Sequence, residues 1–184
     1  MHNTALRVLY ITNGLFVFAG AMLVPLYAIY AENIGATIFL ISALATVLLV
    51  SKFFATLAIR TLGDTFAQTE YLLIAGMLLR AVSWILLIFI PTIPGLFIVQ
   101  VIFGVGDGVG SPAFRALFAR HLEASQGVRR YSEWELITAA SGAIGALAGG
   151  YVVTVYGFPV LLAVMATIAI FTAIALLLQP RSLL

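Results

Sequence analysis

Cysteine is absent from this chain of 184 residues, and charge is scarce: Asp, Glu, Lys and Arg together make up 9% of it. Without a thiol there is no disulfide framework, no cysteine nucleophile and no cysteine-based metal site. The net charge of +2 comes with no basic run interleaved with aromatics, so nucleic acid is not an expected partner. Its two histidines, His2 and His121, lie far apart and outside any H-E-x-x-H spacing, so no metal site is expected. The glycine-rich "GVGDGVG" at 104–110 fits neither G-x-G-x-x-G nor a P-loop, and Ser111 sits in no G-x-S-x-G elbow. No cofactor and no enzymatic activity are therefore expected.

What the chain has in excess is hydrocarbon. Hydrophobic residues make up 63% of it, against about 45–50% in soluble domains. A chain this size cannot hide that much apolar surface in its own core, so membrane lipid is its expected solvent. A spanning helix needs about 20 mostly apolar residues. Six such runs are legible, over 8–30, 37–59, 71–90, 95–118, 134–155 and 158–178. Turn formers or charges separate them, and none shows the period-2 alternation of a barrel strand. The run at 158–178 is apolar all round, broken by Thr167 and Thr172, and is expected to face lipid.

Orientation follows from Arg and Lys in the short loops. Arg7, Arg60, Arg120, Arg129, Arg130 and Arg181 fall in the N-terminus, the even-numbered loops and the tail, while the odd-numbered loops hold none. Both termini are expected in the cytoplasm, with the protein in the cytoplasmic (inner) membrane. The first apolar stretch is too long for a signal peptide and lacks a clear small-x-small cleavage site.

Polar residues fall on helix faces. In the fourth run Gln100, Gly104, Asp107 and Ser111 recur at helical spacing, and Arg115 continues the stripe. Pro112 predicts a kink there and Pro25 a bend in the first run. An acid at mid-span costs several kcal/mol unless it faces the bundle interior or a wet cavity with a partner. Counting about 1.5 Å per residue, Lys52 and Arg80 fall at similar depth and are the candidate partners. The three form either a structural ion pair or part of a substrate or proton pathway. Asn13, Gly20 and Tyr27 repeat every seven residues along the first run, lining a pore or packing against a neighbour. Thr138, Ser141, Gly142, Gly145, Gly149 and Gly150 form a small-residue seam, read as tight helix packing.

With spans and loops placed, the chain resembles one six-helix half of a major facilitator superfamily transporter. The second loop, "RTLGDTFAQTE", is similar to that family's G-x-L-A-D-R-x-G-R-K motif, with Asp64 at the acid and Arg60 at the leading Gly. "QVIFGVG" resembles R-x-x-x-G-x-G, with Gln100 at the Arg. "SGAIGALAGG" resembles G-x-x-x-G-P-x-x-G-G through Gly145, Gly149 and Gly150, with Ala146 where Pro is usual.

The resemblance implies an all-α membrane fold built as two inverted three-helix repeats. It also implies a secondary transporter of a small-molecule substrate, with the site between two halves near the bilayer midplane. Asn13, Tyr27, Lys52, Arg80, Gln100 and Asp107 are the candidate pathway residues, with proton coupling through Asp107 left open. Asp64, Arg60, Arg115, Arg120 and Arg130 are the candidate cytoplasmic gate. A polar flank carrying Asn13, Lys52, Gln100 and Asp107 would meet lipid in a lone unit. A partner is therefore expected: a second copy related by a two-fold axis, with the two protomers rocking to alternate access. A different partner chain, or a non-transporting scaffold or fragment, are the alternatives.

Overall fold

The computed structural model describes residues 4–62, 68–122 and 127–179; Asp64 lies outside them. Helices α1 (Thr4–Ala21), α2 (Tyr27–Asn33), α3 (Ile38–Leu62), α4 (Thr69–Phe89), α5 (Ile93–Arg120), α6 (Gly127–Tyr156) and α7 (Phe158–Leu177) follow in order. No strand occurs among the described residues. Among the described residues six segments are long and apolar enough to cross a membrane, the first combining α1 and α2.

Proline explains the break in that first span. Pro25 lacks the N–H that would continue the ladder, and Val24–Leu26 tighten into a 3-10 turn. Pro112, by contrast, is accommodated inside α5, which runs unbroken from Ile93 to Arg120. The α2–α3 connection closes with a Schellman motif, in which Ala36 N–H donates to Ala31 and Gly35 N–H to Glu32. Gly35 takes φ 96°, a conformation that only glycine adopts without strain. Thr92 caps α5 by accepting from the Gly95 N–H at 3.2 Å.

Helix contacts repeat across the two halves of the chain. The α1–α6 pairing corresponds to α5–α3, α7–α1 to α4–α5, and α4–α7 maps onto itself when the first three spans are exchanged for the last three. An odd number of spans per repeat inverts the second relative to the first, which is the arrangement of inverted three-helix repeats. The α6–α7 contact breaks the symmetry, having no counterpart of similar extent between α3 and α4.

Two apolar clusters fill the bundle, one around Met22, Leu44, Trp84, Leu96 and Met165, the other around Leu9, Met77, Leu117 and Phe118. The last span corrects one expectation. It does not simply face lipid: Leu161, Met165, Ala169, Thr172 and Leu176 form a buried stripe at helical spacing, with Thr172 bonded back to Ile168. The exposed helices are α3 and α6, where only Leu44, Gly145 and Gly149 are buried. Helix α6 also starts seven residues before the apolar run. Charges do not stop a helix, and Glu133 pairs with both Arg129 and Arg130 within its first turns.

Candidate functional site

Four alternating glycines organise α5. At about 100° per residue, Gly104 and Gly108 share one face and Gly106 and Gly110 nearly the opposite one. The first pair lies against the α3 backbone at Leu48 and Lys52, the second against α4 at Gly76 and Leu79. A β-carbon on Gly104 would fall 2.4 Å from the Leu48 carbonyl oxygen, so only glycine allows α3 this close. Asp107 falls on the arc between the two faces. Lys52 of α3 and Arg80 of α4 therefore approach it from either side.

They meet in an ion triad. Lys52 Nζ lies 2.5 Å from Asp107 Oδ2, and Arg80 Nη2 pairs with Asp107 Oδ1. Ser111 Oγ donates to the same Oδ1 at 2.8 Å. The Arg80 guanidinium is sandwiched between two rings, 4.7 Å from the Phe16 centroid and 5.2 Å from Phe103, a cation–π arrangement strengthened by exclusion of water. Side-chain exposure is 14% for Asp107, 17% for Arg80 and 40% for Lys52. The triad lies in the layer between the two apolar clusters, mid-way along α3, α4 and α5. Two cations share one carboxylate, and the other described acids, Glu32, Glu70, Glu133 and Glu135, are near helix ends.

Two cavities flank this layer. One, of about 250 Å³, is bounded by α3, α4, α5 and the first span. Its walls are apolar apart from Tyr27 and Gln100, and these are bonded to each other, Gln100 Nε2 donating to the Tyr27 hydroxyl. The other, of about 220 Å³, is more polar, with Asn13, Arg80, Ser111 and Arg115 on its wall. Trp84 lines the first cavity and is 2% exposed, a core residue between Phe16 and Phe103.

The sequence-derived candidates thus divide. Lys52, Arg80 and Asp107 converge. Tyr27 and Gln100 form a separate pair, and Asn13 instead donates to Thr138 of α6 at 3.1 Å. The expected open polar flank is corrected in part: Gln100 is buried at 6% exposure, Asp107 is largely covered, and Lys52 is the member left open. Gly145 packs on the α1 backbone at Phe18 and Gly149 on the backbone of Met22, just past the end of α1, while Gly150 faces open space.

Of the gate candidates, Asp64 lies outside the described residues. Arg60, Arg115 and Arg120 are exposed and pair with no carboxylate among the described residues. Arg130 is held at 2.9 Å by Glu133, which also accepts from the Tyr10 hydroxyl. Sequence reasoning missed Phe103 as a partner of Arg80. Its signal was a place one turn before Asp107 on the polar stripe.

No curated protein matches the chain. The sequence profile of the Major Facilitator Superfamily matches residues 9–183, and the chain belongs to that family.

Proposed function

We propose that this six-helix unit is one half of a secondary active transporter, working by rocker-switch alternating access against a second copy of itself. Its family and its six spans make it an integral membrane transporter, in a family of transporters rather than enzymes. The proposal adds the partner, the motion and the placement in the cytoplasmic membrane with both termini inside.

The observation that carries it is Lys52. An ammonium midway along a membrane helix keeps 40% of its side chain open while paired to Asp107. Lipid does not solvate such a group, so intramembrane cations face protein or a water-filled path. Lys52 sits on α3, which together with α6 leaves almost its whole length uncovered. A two-fold axis along the membrane normal would bring the α3 and α6 faces of two protomers around a shared aqueous cavity. Rocking would open that cavity to each side in turn, and Asp107, the acid in this layer, is where proton coupling would act.

Differently tagged copies, co-expressed, should co-purify. A single cysteine in place of Leu147, 79% exposed on α6, should cross-link protomers in lipid. A lone subunit in nanodiscs, with no solute flux in proteoliposomes, would overturn the reading. Flux restored only by another chain would replace the second copy with that partner.

A further inference from the structure

The apolar cavity and the ion triad lie end to end on the same helices. Ile41, Ala45 and Leu48 line the cavity from α3, and Lys52 is the next residue on that face, one turn or about 5.4 Å further. Phe103 lines it from α5, and Asp107 follows one turn on. Lys52 does not itself line this pocket of about 250 Å³, but helical spacing puts its half-open ammonium one turn beyond the hydrocarbon wall, on the same face of α3.

We propose that this is a binding site for an amphipathic organic anion, with its apolar body in the cavity and its acid group on Lys52. The proposal rests on the transport reading and names its substrate class. Charge selects the anion. The triad holds two cations and one carboxylate, a surplus of one positive charge in a layer of low dielectric, where such a surplus is costly. A ligand carboxylate neutralises it.

A cationic ligand meets the same surplus as repulsion, and the gap between the Phe16 and Phe103 rings is already filled by Arg80. A polyol finds little to bond: Gln100 and Tyr27 are the polar side chains in an otherwise hydrocarbon wall, one amide N–H is already given to the phenol oxygen, and unpaired hydroxyls against hydrocarbon are disfavoured.

Trp84 lines the cavity and reports on it. The other tryptophan, Trp134, has a buried indole nitrogen without a hydrogen-bond partner, so Trp134→Phe breaks no hydrogen bond and leaves Trp84 as the sole tryptophan, excited at wavelengths that tyrosine does not absorb. In this background, in detergent, 4-bromobenzoate should quench Trp84 saturably by the heavy-atom effect. The matched 4-bromobenzylammonium and 4-bromobenzyl alcohol should quench far less. Lys52→Gln should weaken the acid about tenfold or more, the scale of a lost charged hydrogen bond, and Lys52→Arg should retain it.

Equal quenching by acid and amine would overturn the site, as would unchanged binding of the acid to Lys52→Gln. Leu48→Phe, which fills the cavity without touching the charge, gives a second arm: undiminished quenching by the acid there overturns the apolar half. The readout involves no flux. Failure of transport leaves these outcomes standing, and failure of anion selectivity leaves transport standing.

Discussion

A β-carbon on Gly149 would lie 2.0 Å from the carbonyl oxygen of Met22. That contact sets the distance between α6 and the end of α1. A backbone oxygen cannot rotate away as a side chain would, so even alanine forces the helices apart. Gly149→Ala is expected to destabilise by about 2–3 kcal/mol, in the range of overpacked cores. Gly150→Ala, one residue on and facing open space, should be neutral or slightly stabilising through helix propensity. Thermal unfolding of both variants in detergent checks this; equal melting would mean that α6 does not pack on α1 in this register.

This pair of glycines shows where the sequence stops speaking. Hydropathy located the spans because a bilayer imposes length and apolarity on each helix. Counting residues put Lys52, Arg80 and Asp107 at one depth, and their ion pairs follow from that level. Which of two adjacent glycines touches a neighbour depends on where that neighbour lies, and no local pattern encodes it. Helix α7 misled for a related reason: core and lipid are both hydrocarbon, so an all-apolar helix reads the same in either, and only packing reveals its buried stripe at Leu161, Met165 and Ala169. The opposing glycine faces of α5 had a sequence signal, the alternation at 104, 106, 108 and 110, but not the identity of the helices they admit.

Removing the anion of the triad should cost more than removing its exposed cation. Asp107→Asn leaves Lys52 and Arg80 facing each other across a neutral amide. Breaking a buried pair from one side costs about 3–5 kcal/mol, with the lower end expected because Lys52 can turn its open ammonium toward water. The companion change Arg80→Gln in the same chain should recover much of the loss by removing the stranded guanidinium. Lys52→Gln alone should be mild in stability, as for an accessible ion pair. Unfolding curves for the parent, Asp107→Asn, Arg80→Gln and the chain carrying both changes form a double-mutant cycle. If Asp107→Asn melts like the parent, the triad is not holding α3, α4 and α5 together.

The Tyr27–Gln100 bond makes a different prediction, because it joins two neutral groups beside an apolar cavity. Tyr27→Phe removes the acceptor and strands the buried Gln100 amide, at a cost of about 1–2 kcal/mol. Adding Gln100→Leu removes the stranded donor, and the double variant should return close to the parent in melting temperature. A double variant as unstable as the sum of its singles would mean that each residue is held by other contacts.

The absence of cysteine makes the proposed orientation directly testable, since any introduced thiol is the sole target. Asn33 ends α2 and is exposed, and Val128, in the first turn of α6, is 86% exposed. Three further spans separate the loop after the first span from the loop before the fifth, so the two positions lie on opposite sides of the membrane. The proposed orientation, which rests on the arginine bias, has Val128 inside, with Arg120, Arg129 and Arg130, and Asn33 outside. In intact cells a membrane-impermeant maleimide should label Asn33→Cys readily, and label Val128→Cys only after permeabilisation. The reverse pattern would invert the topology. Labelling of both in intact cells would remove a crossing between them, and with it the inverted repeat.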